Sequence, residues 1–462
     1  MILDDIIHHK QKEIEEQKRL VPFRTLVSQI ARTEKPRDFA QALINSSETS
    51  LITEIKLASP SSGKLGEADG VEKRARSYER GGADAISVVV DKKFFGGDLS
   101  FIKRIKQVSQ LPVLAKDFII NEYQLYKLKE VGADAVLLIS KLVTPKALNQ
   151  FVNLSYSLGV EPIVEIQIEE ELRSALKTQA RCIAVNARNL TDFTIDLKKA
   201  MKLMKQIPST KIRIGFSGIK NRVDTVSYKV AGAQAVLIGT SLMKSHDPNK
   251  LIKNLKDVSP LVKICGIRTQ IAAKTCIKAG ADLLGFNFVS TSKRYITPEK
   301  ALAIISQLPY SAQTVGIFQN ETLENVCATA KKLNLTFVQL HGTETPEYCQ
   351  LIPTRVIKTF SLPKNFDVNR TLKQMKKYHV DFYLLDRKEQ GTGELLDFNK
   401  VRLIIRKFPV LLAGGLTNQN VAYAIHICHP AGIDVASGIE IDGKQNLKLI
   451  ADFIKNSRGS YI

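Results

Sequence analysis

Two stretches decide the fold: Leu51-Ile52-Thr53-Glu54-Ile55-Lys56 and, about two hundred residues on, Leu261-Val262-Lys263-Ile264-Cys265-Gly266. Each is a short apolar run that stops abruptly on a charged, thiol or glycine residue. Seven similar runs follow the first, near 85–90, 112–115, 134–139, 161–165, 182–186, 212–216 and 234–238. Seven more follow the second, near 282–288, 314–318, 336–340, 355–359, 381–385, 409–413 and 433–435. Helical stretches separate the runs. Strict strand–helix alternation with short connections predicts parallel strands, and eight units close a barrel whose carboxyl-terminal rim carries the chemistry.

A recurring tag supports the count. Gly81-Gly82-Ala83-Asp84-Ala85, Gly132-Ala133-Asp134-Ala135, Gly232-Ala233-Gln234-Ala235 and Gly280-Ala281-Asp282 each end one helical stretch and open one apolar run. Glycine suits the left-handed cap that stops a helix. The expected fold is therefore α/β, two consecutive TIM (β/α)8 barrels, the first with an N-terminal helical extension. A chain of 462 residues accommodates two such units.

In the extension, Ile6, Ile7, Ile14, Leu20, Phe23, Leu26, Val27 and Ile30 recur at helical spacing, predicting helices packed over one barrel mouth. Lys244 to Pro260 is polar, contains two prolines and reads as the junction. The expected domains are 1–257 and 258–462.

Composition narrows the class. No apolar run approaches the roughly 18 residues of a membrane span, and the first residues lack a signal peptide's apolar segment. Six cysteines without paired spacing read as reduced thiols, and the expected location is cytoplasmic. The formal net charge is +21. The lysines are scattered without an arginine–aromatic stripe, which favours solvated helix faces over a nucleic-acid surface.

The first unit holds no histidine between Lys10 and Ser245, so acid–base work there falls to lysine and carboxylate. The strand ends supply Glu54 and Lys56, Lys116 and Asp117, Glu165, then Asn186 and Arg188. Ser59-Pro60-Ser61-Ser62-Gly63 reads as a flexible polar loop. Ser217-Gly218 after strand seven and Gly239-Thr240-Ser241 after strand eight sit where this fold cradles phosphate.

These residues carry a resemblance. Glu54-Ile-Lys56-Leu-Ala-Ser59-Pro60-Ser61, Phe94-Phe95-Gly96-Gly97, Lys116-Asp117-Phe118, Asn186-Ala-Arg188-Asn189-Leu190 and Ser217-Gly218-Ile219 resemble indole-3-glycerol-phosphate synthase over nearly all of 1–256. The resemblance implies decarboxylating ring closure of carboxyphenylamino-deoxyribulose phosphate. It casts Lys116 as the general acid and Glu165 as the aid to dehydration. Lys56 would hold the carboxylate, Glu54 and Asn186 would orient these groups, and Arg188 would position substrate. Which lysine and which carboxylate serve each step stays open. The family usually has Glu-Ser-Gly-Ile after strand seven, but here Phe216 precedes Ser217-Gly218-Ile219. A slower synthase, a retuned substrate and an inactive first barrel all remain open; the surviving lysines and carboxylates favour activity.

In the second unit Cys265 ends strand one, two residues after Lys263, and a nearby cation would favour its thiolate. Asp386 closes the run Phe382-Tyr383-Leu384-Leu385 before the loop Gly391-Thr392-Gly393; apolar surroundings would raise its pKa. Cysteine as base and aspartate as acid suit proton transfer beside a carbonyl. Gly414-Gly415 and Ser437-Gly438 occupy the phosphate positions, and Arg294 offers a fork for a carboxylate. His341 is left outside the catalytic set.

Lys263-Ile-Cys265-Gly266-Ile267, Ser292-Lys293-Arg294, Val338-Gln339-Leu340-His341-Gly342, Leu385-Asp386 and Ala413-Gly414-Gly415-Leu416 resemble phosphoribosylanthranilate isomerase throughout 258–462. This implies an Amadori rearrangement. Asp386 would open the ribose ring, Cys265 would take the C2′ proton, and Arg294 would grip the anthranilate carboxylate. The resemblance implies small phosphorylated anthranilate-derived substrates, no metal or organic cofactor, no nucleic acid, and a monomer. A monofunctional isomerase with a scaffold-like first barrel is the alternative that Phe216 raises.

Overall fold

The computed structural model describes residues 2–31, 33–44, 49–60, 62–309, 311–388 and 395–459. The chain divides into two compact units, Met1–Asp257 and Val258–Ile462.

Each unit is a closed eight-stranded parallel barrel with neighbouring strands in chain order. The first uses Ser50–Ile55, Ala85–Val89, Val113–Lys116, Ala135–Ile139, Glu161–Ile166, Cys182–Asn186, Ile212–Phe216 and Ala235–Ile238. The second uses Leu261–Cys265, Leu283–Asn287, Thr314–Phe318, Phe337–Leu340, Arg355–Leu362, Phe382–Arg387, Val410–Leu412 and Gly432–Val435. The predicted order survives intact. Strand five of the second barrel runs to Leu362 rather than 359, because Ser361 and Leu362 stay paired with Asp386 and Arg387.

The strands are apolar along their length because both faces are covered. Inside the first barrel, Ile52, Leu114, Leu137, Ile163, Ala184 and Ile214 meet one another. Outward-facing neighbours such as Leu51, Val113, Val136 and Val164 pack under the helices. Each fully buried aliphatic side chain contributes about 1.5–3 kcal/mol.

The glycine tags do what their composition predicts: Gly82, Gly132, Gly232 and Gly280 all take positive φ, between 90° and 102°. Their acids do more. Asp84 accepts the Leu51 N–H at 2.7 Å, Asp134 the Val113 N–H at 2.8 Å and Asp282 the Val262 N–H at 2.8 Å. Gln234 accepts the Arg213 N–H in the same way. Lys256, Lys106 and Arg458 neutralise the three acids. The side chain that opens one strand thus latches the start of its neighbour, at the amino-terminal rim of the barrel.

The extension differs from its predicted place over one mouth. It splits into helices Ile2–Leu20, Phe23–Ile30 and Phe39–Ile44. Ile14 and Leu26 bury against Tyr123, whereas Leu20 is 81% exposed and Phe23 and Val27 are partly open. Phe39, Ala40 and Leu43 enter the barrel interior beside Ala85, Ala135 and Ala235, which begin their strands. This third helix therefore plugs the end opposite the reactive rim. Helical spacing identifies a buried stripe but not the surface that buries it.

The junction stretch 244–260 contains regular structure. Pro248 opens a helix, Pro248–Lys256, capped by Asp247 and packed on Val71–Gly81 through Ile252. A proline at the first helical position needs no N–H partner.

Candidate active sites

In the first barrel Glu54 on strand one and Lys56 just past its end, two residues apart, face the same side. Lys56 Nζ donates to Glu54 Oε1 at 2.7 Å. Lys116 Nζ, from strand three, lies 3.8 Å from both Glu54 Oε2 and Glu165 Oε2. Asn186 Nδ2 donates to Glu165 Oε1 at 2.9 Å, and Asn186 Oδ1 accepts the Arg188 N–H at 3.0 Å. Strands one, three, five and six thus bring Glu54, Lys56, Lys116, Glu165 and Asn186 into one connected cluster. Burial opposes charge on Glu54, yet Lys56, Lys116 and Arg188 hold its carboxyl below the usual range. Burial lowers the pKa of Arg188, against the pull of Glu54.

Gly239 is required for this packing: a Cβ there would lie 2.3 Å from Glu54 Oε1. Ser217 and Gly218 form a left-handed turn with φ of 68° and 77°. Ser241 Oγ donates to the Ile219 carbonyl at 2.9 Å, tying that turn to the short helix Thr240–Met243. The loops after strands seven and eight are thereby one structure.

Ser59 stands apart. Residues 58–59 and 63–64 form a small antiparallel hairpin rather than a flexible loop, and Ser59 Oγ accepts the Ser62 N–H. Ser61 lies outside the described residues. Asp117 turns away from the cluster to meet Lys10 at 2.9 Å. Lys10 also pairs with Glu13 at 2.8 Å and Asp91 at 3.2 Å, and is only 2% exposed. Sequence reading missed this buried group, because Asp91 and Asp117 lie far from Lys10 in the chain.

Phe216 is buried, with its ring centroid 4.5 Å from Lys116 Nζ. The position that breaks the family pattern thus presents the ammonium with an aromatic face.

In the second barrel Lys263 and Cys265 share a strand face in the same way. Lys263 is fully buried and donates to Asp434 Oδ1 at 2.8 Å. Burial works against the expected thiolate. Burial pushes the Cys265 thiol up, Asp434 adds to that, and Lys263 and Arg294 offset it only in part. Asp386 behaves as its apolar approach predicts: burial raises its carboxyl. The charge of Asp434 acts on both Cys265 and Asp386, which stand at the ends of strands one and six of this barrel.

His341, set aside on sequence, lies beside Asp386, with Nε2 3.8 Å from its Oδ2. Burial lowers its pKa, so the facing imidazole and carboxyl both favour their neutral forms. Gly414 and Gly415 have φ of 84° and 87°, and Gly438 lies against the Leu416 carbonyl, where a Cβ would come within 2.0 Å. Ser437 and Gly438 form a single 3-10 turn, so these loops again join. The Gly391-Thr392-Gly393 loop lies outside the described residues. Arg294 does fork onto a carboxylate, but it is that of Glu440.

Two parallel barrels, one mouth lined by lysines and carboxylates and the other by a buried thiol and carboxyl, define a tandem (β/α)8 protein with two separate acid–base sites. The family profile described as indole-3-glycerol phosphate synthase matches residues 3–255, and that described as N-(5'-phosphoribosyl)anthranilate (PRA) isomerase matches 262–456. The chain is similar to the multifunctional tryptophan biosynthesis protein of Schizosaccharomyces pombe, 35% identical over 461 residues, covering 89% of this chain and 60% of that one. It is also similar to the tryptophan biosynthesis proteins TrpCF of Vibrio cholerae and Salmonella typhi. The first is 34% identical, covering 95% of this chain and 92% of that one; the second is 32% identical, covering 99% of each. The chain thus spans less than two thirds of the Schizosaccharomyces pombe protein. It belongs to the indole-3-glycerol phosphate synthase family, with a phosphoribosylanthranilate isomerase domain joined after it.

Proposed function

We propose that the chain catalyses two consecutive steps of tryptophan biosynthesis. The second barrel, residues 258–462, isomerises N-(5-phosphoribosyl)anthranilate to carboxyphenylamino-deoxyribulose 5-phosphate. The first, residues 1–257, decarboxylates and cyclises that product to indole-3-glycerol phosphate. The observation that carries the reading is Lys116 standing 3.8 Å from two buried carboxylates in one mouth, while a second mouth holds Cys265 and Asp386.

In the isomerase mouth, Asp386 protonates the ribose ring oxygen and opens the ring to a Schiff base. A carboxyl whose pKa is raised by burial is suited to that donation. Cys265 then removes the C2′ proton, and the enolamine relaxes to the ketone. Arg294 binds the anthranilate carboxylate, and the Gly414-Gly415 and Ser437-Gly438 loops bind phosphate.

In the synthase mouth, Lys116 polarises the substrate carbonyl as general acid and Glu165, oriented by Asn186, assists loss of water. Lys56 holds the substrate carboxylate, with Glu54 fixing both lysines. Arg188 positions substrate, and the Ser217-Gly218 and Gly239-Thr240 loops cradle phosphate, with Ser59 at the mouth's first loop. The reading places the chain in the cytoplasm as a monomer, and its six free thiols fit a reducing compartment.

Single-turnover assays with each substrate test this. Lys116→Ala abolishes the synthase step alone and Cys265→Ala the isomerase step alone. Loss of both activities from either substitution would sink the two-site reading.

A further inference from the structure

The guanidinium of Arg294 is committed before any ligand arrives. Its Nε donates to Glu440 Oε1 at 2.8 Å and its Nη2 to Glu440 Oε2 at 2.6 Å, and the Glu440 side chain is 8% exposed. Among the described residues Glu440 is the only hydrogen-bond partner of that guanidinium.

Glu440 belongs to a hairpin, Glu440–Ile441 against Lys444–Gln445, that follows the Ser437–Ile439 turn. Two more bonds fix this hairpin to the mouth, and a third ties its anchor to the Arg294 loop. Gln445 Nε2 donates to the Cys265 carbonyl at 3.2 Å. The Gly443 carbonyl accepts from Arg268 Nη2 at 2.7 Å, and Arg268 Nη1 donates to the carbonyl of Lys293, the neighbour of Arg294. The stem of Arg294 meanwhile crosses the glycine after Cys265: a Cβ on Gly266 would lie 2.6 Å from Arg294 Cδ. The hairpin therefore sets the guanidinium over the Cys265 turn.

A guanidinium has five N–H donors and two edges able to grip a carboxylate, Nε with Nη2 and Nη1 with Nη2. Glu440 takes the first edge and leaves the second. We propose that Glu440 is a positioning residue for substrate selection: by filling one edge of Arg294 it aims the other at the aryl carboxylate of the isomerase substrate. This rests on the reading of the second mouth given above. Glu440 also balances the charge of Arg294, whose field reaches Cys265. Removing the carboxylate leaves that cation uncompensated beside the thiol.

The test uses the full chain, with isomerase kcat and KM measured separately and synthase turnover as the check on folding. Glu440→Gln is expected to raise isomerase KM about tenfold or more, the loss of a charge-assisted bond's worth of alignment, with kcat changed far less. The limb of the isomerase pH–rate profile set by Cys265 moves to lower pH, a change that a merely structural role would not produce. Glu440→Asp, which keeps the charge, restores most of the affinity. An unchanged KM overturns the proposal. So does a lowered KM, which would make Glu440 a competitor of the substrate. A double-mutant cycle with Arg294→Lys gives a second route, since an ammonium has no second edge. Glu440→Gln should then add little, and full additivity would refute the proposal. Lack of turnover by the wild-type isomerase refutes the functional reading itself; an active wild type with an indifferent Glu440→Gln refutes only the role of Glu440.

Discussion

The ammonium of Lys116 lies 4.5 Å from the centroid of the Phe216 ring, and 3.8 Å from each of two carboxylates. The aromatic face supplies part of the electrostatic attraction that a third carboxylate would supply, at no cost of burying another charge. Phe216→Leu keeps an apolar side chain and removes the ring. A cation–π contact contributes about 0.5–2 kcal/mol, so synthase kcat/KM should fall roughly two- to thirtyfold. Isomerase turnover of the same preparation serves as the control and stays unchanged. An unaltered synthase rate would mean that the ring takes no part in holding the lysine.

Asp386→Asn separates activity from stability. It removes the general acid and should cost isomerase turnover about a hundredfold to ten-thousandfold. Burial raises the folded pKa of this carboxyl, so ionising it is unfavourable in the folded state. That penalty is absent below the unfolded value of about 3.9 and complete above the folded one. Thermal unfolding at neutral pH should therefore show the asparagine variant more stable, with the advantage gone near pH 4. Equal melting temperatures at both pH values would contradict the assignment.

Lys10 offers a test of the extension. It is buried against Asp91, Asp117 and Glu13, and Lys10→Met strands those carboxylates. Removing one partner of a buried ionic group costs about 3–5 kcal/mol. Burial opposes the charge of Lys10, but Asp117 and its fellow acids outweigh it and raise the pKa. Its contribution is thus complete below the ordinary lysine range and lost only above it. Wild type should keep a steady advantage in denaturant midpoint across neutral pH, read through synthase activity. A variant as stable as wild type would show that the cluster contributes nothing net.

The latch acids yield a fourth expectation. Asp134 accepts the backbone N–H groups of Arg37 and Val113 and pairs with Lys106 at 2.6 Å. Asp134→Ala leaves these donors buried, at a cost of about 3 kcal/mol or more. Denaturant should extinguish synthase activity earlier while the isomerase midpoint holds, and kcat in buffer should stay near wild type. A drop in kcat without a shift of midpoint would place Asp134 in the chemistry instead.

What the sequence revealed follows from the range of the signal. Apolar runs and helix-stopping glycines are local, so strand order and the reactive strand ends, Glu54 through Asp386, were legible directly. The partner of Arg294 was not, because Glu440 lies 146 residues downstream in a hairpin of two-residue arms. The Lys10 group escaped for the same reason, and the plug formed by Phe39, Ala40 and Leu43 shares its helical pattern with segments that pack elsewhere. Cys265 misled in another way. Its neighbouring cations were visible in the sequence, but burial and Asp434, which push the thiol's pKa up, were not.

The latches formed by Asp84, Asp134 and Asp282 stand at the rim opposite the reactive groups. Because the cage is fastened at its floor, its roof is left open to revision. Descendants of such a chain can exchange what surrounds a substrate without renegotiating how the staves are held.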